Sequence, residues 1–244
     1  MNKRVVITGL GVLTSLGKDK NTFWNNIING KSGIKKISKF DTRDISSKIA
    51  AEITDFTPGD YIPPKKARRI AVFAQYAIFT ALQALKDANL KITEKNAEGI
   101  GTLIGSGIGG IEVFEEQIER LIRKGPKRVS PFFIPMMISN MASGQISIYT
   151  GAKGPNSNSV TACASGTTAI GEALEIIKRG DAQAMIAGGT EATITPSAVA
   201  GFSNMKALST KNNEPEKASR PFDAERDGFV IGEGCGIVIL EELE

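Results

Sequence analysis

Cys163 is the side chain best placed for covalent chemistry in this sequence. It lies in Val160-Thr161-Ala162-Cys163-Ala164-Ser165-Gly166-Thr167, between a short extended stretch and a long apolar helical pattern. That spacing puts the thiol at the first turn of a helix, where unpaired backbone N–H groups and the macrodipole favour negative charge on sulfur. Ala162, Ala164, Ser165 and Gly166 are small and leave a substrate room to reach it. A cysteine nucleophile usually takes its base from an imidazole, yet the 244 residues include no histidine. Two readings stay open at this point: a nucleophile, or a small buried hydrophobe, the commoner fate of free cysteine. Cys235, in Gly234-Cys235-Gly236 ahead of a β-branched strand, reads as structural.

Other motifs carry less. Gly105-x-Gly107-x-x-Gly110 follows an apolar run and matches part of a dinucleotide fingerprint, but that fingerprint also needs an acidic residue about 20 positions on. Arg123-Lys124-Gly125-Pro126-Lys127-Arg128 stands there instead. The Gly105–Gly110 run and Gly9-Leu10-Gly11 therefore read as tight turns, the former placed to line a channel. Serine-hydrolase triads and cysteine–histidine hydrolases are excluded by the missing imidazole, and a zinc site of the usual type is disfavoured. Lys65-Lys66-Ala67-Arg68-Arg69 reads as the start of a helix, with Lys124, Lys127 and Arg128 as a second basic cluster. Each is either a solvated charged face or a grip for a phosphorylated or acidic partner. Cations at a helix start oppose the dipole, a mild cost that hints at use. The Phe132, Phe133, Ile134, Met136, Met137 run suits core, subunit contact or acyl pocket alike.

The elements that must position these residues alternate. Val5–Thr8, Ile100–Ile104 and Ala182–Ala187 read as buried strands, and Gly228–Leu240 as two short strands joined at Gly232-Glu233-Gly234. Helical patterns cover Asp19–Asn29, Arg68–Ala88, Ile111–Lys124, a stretch ending near Tyr149, and the run from Cys163 to Arg179. The second is apolar nearly all round, as befits a helix in the middle of a large structure. Buried strands alternating with helices predict an α/β layered fold with both sheet faces covered. The chain stops four residues after Ile237-Val238-Ile239-Leu240 with no closing helix, which predicts a further segment.

Composition sets bounds. With 41% hydrophobic and 23% charged residues the chain fits one large domain or two small ones. A net charge of +4 is too small to argue for nucleic acid and is compatible with an acidic protein partner or an anionic cofactor tail. Two cysteines make no disulfide framework, so the chain reads as cytosolic and reduced. No stretch approaches the roughly 20 apolar residues of a membrane span, and the N-terminus does not read as a signal peptide.

Five ordered segments carry a family resemblance: Gly105-Ser106-Gly107-Ile108-Gly109-Gly110, Ser130-Pro131-Phe132-Phe133, Thr161-Ala162-Cys163-Ala164-Ser165-Gly166, Gly188-Gly189-Thr190-Glu191, and Arg220-Pro221-Phe222-Asp223-Ala224-Glu225-Arg226-Asp227-Gly228-Phe229. On these the whole chain resembles the β-ketoacyl-acyl carrier protein synthases, condensing enzymes of bacterial fatty acid synthesis, in particular their synthase II branch. The resemblance implies a thiolase-like fold. Residues 1–244 would form its N-terminal domain, one α/β/α layered half (a mixed five-stranded sheet covered by helices) of a five-layer whole. It implies that Cys163 accepts an acyl group from acyl carrier protein, and that malonyl-carrier protein then loses carbon dioxide and attacks the thioester. Ile108, Phe133 and Phe202 fall where the family lines its acyl pocket, Phe133 reaching in from a partner subunit. Lys65, Arg68, Arg69, Lys127, Arg128 and Lys206 match positions that dock the acidic carrier protein. A cytoplasmic homodimer with no cofactor, metal, nucleic acid or membrane partner is expected. The family's two histidines, its lysine and a second oxyanion-hole residue belong to the C-terminal half, so this chain is expected to be a fragment that cannot condense alone. Alternatives are a non-condensing chain-length partner subunit, which retention of Cys163 disfavours, and a coenzyme A-dependent thiolase-like enzyme.

Overall fold

The computed structural model describes residues 3–243. In chain order the elements are β1 (Val5–Thr14), α1 (Lys20–Ile28), β2 (Lys35–Lys36), β3 (Ile49–Ala50), α2 (Pro64–Ala67), α3 (Val72–Asp87), β4 (Ile100–Gly105) and α4 (Ile111–Lys124). There follow α5 (Phe133–Met137), α6 (Met141–Thr150), β5 (Asn156–Ser159), α7 (Ser165–Arg179), β6 (Ala184–Glu191), α8 (Pro196–Asn204) and β7 (Gly234–Glu242).

One mixed five-stranded sheet runs in the order β1-β7-β6-β4-β5. β4 lies parallel to β5 and β6, while β7 is antiparallel to β6 and to β1. Alternation along the strands divides the core between the two faces. Ile104, Ile186, Ile237 and Ile239 face one side and pack with Phe73, Tyr76, Ala77 and Ala84 of α3. Leu103, Met185, Ala187 and Leu240 face the other and pack with Ala169, Ala173 and Ile177 of α7. The expected layered half, a mixed five-stranded sheet between helices, is what forms.

Several boundaries differ from the sequence reading, each for a local reason. Gly9-Leu10-Gly11 is not a turn but the middle of β1, which is longer than Val5–Thr8 and half exposed rather than buried. The glycines are there because α3 crosses directly on the strand: a Cβ at Gly9 or Gly11 would fall inside the Ala84 or Thr80 carbonyl oxygen. Side chains of α3 also cover the outer edge of β1. The Leu10 N–H donates to Asp87 Oδ2 (3.0 Å) and the Val12 N–H to Gln83 Oε1 (3.3 Å), which blocks addition of another strand. Gly188–Glu191 continues β6, and Gly228–Leu240 yields one strand, β7, not two.

The helix expected from Arg68 starts at Val72. Pro63-Pro64 opens the separate one-turn α2, and Gln75 Nε2 donates to the Ala67 (3.0 Å) and Ile70 (2.7 Å) carbonyls, filling the bend between the helices. The α3 start is capped from outside, the Val72 N–H donating to Glu112 Oε1 at 2.9 Å. Burial holds the Glu112 carboxyl above the usual carboxylate range. Arg68 and Arg69 thus follow the end of α2, where free carbonyls suit cations. The dipole penalty expected for that cluster is therefore confined to Lys65 and Lys66, which do stand in the first turn of α2.

A buried ion pair ties the irregular segment 31–57 to the sheet. Lys39 Nζ lies 2.5 Å from Glu233 Oε1, whose side chain has no exposed surface and also accepts the Ile53 N–H at 2.6 Å. Lys39→Ala strands that carboxylate, and the expected loss is about 2–3 kcal/mol, discounted because the lysine is partly solvated. A urea midpoint lowered at unchanged m is the readout.

Candidate active site at Cys163

The C-terminal ends of β4 and β6 meet the start of α7, and glycines make the meeting possible. A Cβ at Gly105 would collide with the Ser165 carbonyl, and one at Gly189 would sit 2.9 Å from Gly166 Cα. The first turn of α7 thus rests main chain to main chain on the two strands. Just ahead of it Ala162 holds φ +53°, the left-handed region that disfavours residues other than glycine. Cys163 follows, one residue before the N-cap Ala164. The sequence reading put it in the first turn; the structure sets it just outside, on a bend that turns it to the surface.

That bend is braced. Ser165 Oγ accepts the Thr161 N–H (2.9 Å) and donates to the Ala162 carbonyl (2.6 Å). Thr161 and Thr168 share a hydroxyl contact at 2.8 Å. Cys163 is exposed, so the buried-hydrophobe reading falls. Cys235 is its opposite: 3% exposed in the α3-facing core, with burial pushing its thiol up to about 12. It is structural, as its sequence setting implied.

Beside the Cys163 bend runs the loop 106–110. A Cβ at Gly107 would lie 3.5 Å from the Ala162 carbonyl and 3.0 Å from Glu191 Oε2. Glu191 accepts from Ser106 Oγ (2.9 Å) and from the Gly107 N–H (2.7 Å). The loop's donors are thus spent on a carboxylate of the same chain, which disposes of the dinucleotide reading.

From Gly107 an apolar groove of about 350 Å³ opens between Ile108, Ile111, Phe114, Met137 and Ile138. Phe133 is close by, its ring centroid 6.2 Å from that of Phe114. Phe202 is not among the groove's lining residues; its ring stands edge-on to Phe229 at 5.5 Å. Phe114 also lines a second groove of about 470 Å³ along α4 with Ile118 and Ile122. Sequence reasoning found α4 but assigned no role to its apolar stripe. The stripe was readable in the spacing of Ile111, Phe114, Ile118 and Ile122, since the only fully buried residues of α4 are Val113 and Gln117.

The basic residues fall on exposed turns: Lys65 on α2, Arg68 and Arg69 after it, Lys127 and Arg128 on the 3₁₀ turn 126–128. The Arg69 guanidinium lies 4.4 Å from the ring centroid of Phe132, four residues after Arg128. Lys206 is separate, in a left-handed position beyond α8. None of the six forms an ion pair among the described residues. Among the same residues no helix is long and apolar enough to cross a membrane.

A mixed five-stranded sheet covered by helices on both faces, with an exposed cysteine ahead of one of them, is the architecture of a thiolase-like half. The family described as β-ketoacyl synthase, N-terminal domain, matches residues 2–244, and the chain belongs to it. It is 56% identical over 243 residues to 3-oxoacyl-[acyl-carrier-protein] synthase 2 of Staphylococcus aureus (strain COL), covering all of this chain and 58% of that protein. The protein of the same name from Synechocystis is 52% identical over 242 residues, covering 99% of this chain and 58% of the relative. Among solved structures, a β-ketoacyl synthase from Burkholderia phymatum superposes with a TM-score of 0.89 at 33% identity, over 98% of this chain and 59% of that one. A type II PKS acyl-carrier protein in complex with its ketosynthase bound to the hexaketide gives 0.87 at 34%, over 100% and 59%. The chain therefore spans somewhat under three fifths of the length of these relatives.

Proposed function

We propose that this chain supplies the acyl-accepting half of a β-ketoacyl-acyl carrier protein synthase of fatty acid synthesis. The carrying observation is the exposed Cys163, whose neighbour Ala162 lies against Gly107 of the loop that borders the Ile108 groove. The sulfur attacks the carbonyl carbon of an acyl-phosphopantetheine thioester. Charge collects on the carbonyl oxygen, for which the Cys163 backbone N–H is one of two donors. The phosphopantetheine thiolate then leaves with a proton, and the acyl group stays as a thioester on Cys163. The acyl chain lies against Ile108, with Phe133 of a second copy and Phe202 completing the pocket in a cytoplasmic homodimer.

Condensation proper builds an enolate from malonyl-carrier protein, which needs hydrogen-bond donors of the imidazole kind. Removing one such donor costs about 100- to 1000-fold elsewhere. With no histidine among its 244 residues, this chain is expected to load an acyl group but not to elongate it. Acyl-carrier protein thioester is the probe, followed by mass mapping of the peptides. Acylation at Cys163 supports the reading, and an inert Cys163 overturns it.

The carrier protein is acidic and lands on Lys65, Arg68, Arg69, Lys127, Arg128 and Lys206, cations that no carboxylate of the described residues neutralises. Replacing Arg68 and Arg69 together by Glu is expected to weaken carrier-protein binding about tenfold or more at low salt and much less at high salt. Unchanged affinity at low salt, measured by titration calorimetry, removes this surface from the proposal.

A further inference from the structure

We propose that Glu191 is a positioning residue for the Cys163 site, acting as a built-in anion that shapes the loop 106–110. The proposal rests on the groove reading above only for its consequence, not for its geometry. Successive backbone N–H groups in a tight loop form a concavity that binds negative charge. Here Gly107 N–H points at Glu191 Oε2 from 2.7 Å, Ile108 N–H approaches Oε1 at 3.4 Å, and Ser106 Oγ donates to Oε1 at 2.9 Å. Ser106 is itself buried and accepts the Gly109 N–H at 3.0 Å, which carries the clamp one residue further. Glu191 has no cation partner among the described residues. Its hydrogen-bond donors among those residues all come from this loop.

Two further segments border the loop. Gly107 faces the Ala162 carbonyl next to Cys163, Gly110 N–H donates to the Met137 carbonyl at 2.9 Å, and Gly109 takes φ +73°. The loop is thus clasped between the end of β6, the cysteine bend and the end of α5, and Ile108 is the one large side chain it presents. Released from Glu191, Ile108 and the groove wall it forms lose their fixed position relative to the sulfur.

The test compares the 244-residue chain with its Glu191→Gln and Glu191→Ala variants by two readouts. Hydrogen exchange reports the clamp directly. Amide protection across 107–109 is expected to fall about tenfold or more in the alanine variant, the scale of a lost charge-assisted hydrogen bond, and to recover in part with glutamine, which keeps one acceptor oxygen. The second readout is the rate of Cys163 modification by octyl against methyl methanethiosulfonate. The wild-type preference for octyl is expected to shrink severalfold in Glu191→Ala, with partial rescue by Glu191→Gln. Protection of 107–109 unchanged in both variants overturns the proposal. So does lost protection with the octyl preference intact. A wild-type chain showing no octyl preference overturns the groove reading instead, while the exchange readout still decides the clamp.

Discussion

The Cys163→Ala chain is expected to take up no acyl group from acyl-carrier protein thioester, with its rate of iodoacetamide labelling lowered by at least about 1000-fold. Both follow from the disposition of the two sulfurs. A nucleophile removed outright leaves only background chemistry, and the remaining thiol cannot substitute. Cys235 is buried among α3 and the sheet, and its thiol stays protonated until about pH 12. Native wild-type chain therefore titrates as one reactive thiol and denatured chain as two. Native Cys163→Ala titrates as none. A labelled Cys235 in the native state would mean that the core opens under these conditions, and a labelled lysine or serine would displace the sulfur from its role.

Gly105→Ala gives the largest expected change in stability. The added methyl lands on the Ser165 carbonyl and 2.7 Å from the Gly166 nitrogen. Both belong to the backbone of the first turn of α7, so no side-chain rotation relieves the clash. Either β4 and α7 separate or the chain fails to fold; a loss of about 3 kcal/mol or more is expected, at the upper end of overpacking effects. The control is on the same helix. Gly171 lies mid-α7 with nothing within 4 Å of its Cβ position, and Gly171→Ala is expected to stabilise this chain by about 0.5–1 kcal/mol through helix propensity. Chemical denaturation of both variants decides the matter. Equal stabilities would mean that the strand–helix junction is looser than the glycines imply.

Much of this was legible in the residues. Strand–helix alternation gave the layered α/β organisation, and the small residues around Cys163 gave its accessibility. What escaped shares one cause: close approach between segments distant in sequence. Gly9 and Gly11 look like turn residues until α3 is laid across them. Gly188 and Gly189 do not look like strand residues because nothing local says that β7 crowds the first and α7 rests on the second. Glu191 sat inside a recognised motif with no task, since its partners stand more than eighty positions earlier, in the 106–108 segment. The start of α3 was misjudged because Gln75 and Glu112, not local propensity, decide where its first turn forms.

The stack of Arg69 on Phe132 has a consequence for whatever meets the two cationic turns. An aromatic plate holds one arginine in place and links loops some sixty residues apart in the chain. Long cationic side chains normally lose rotational freedom when a ligand arrives. Here part of that loss has already been suffered in the free protein. An acidic partner of the kind proposed above would find a landing site assembled beforehand, which favours fast capture and, because the attraction is mostly ionic, equally ready release.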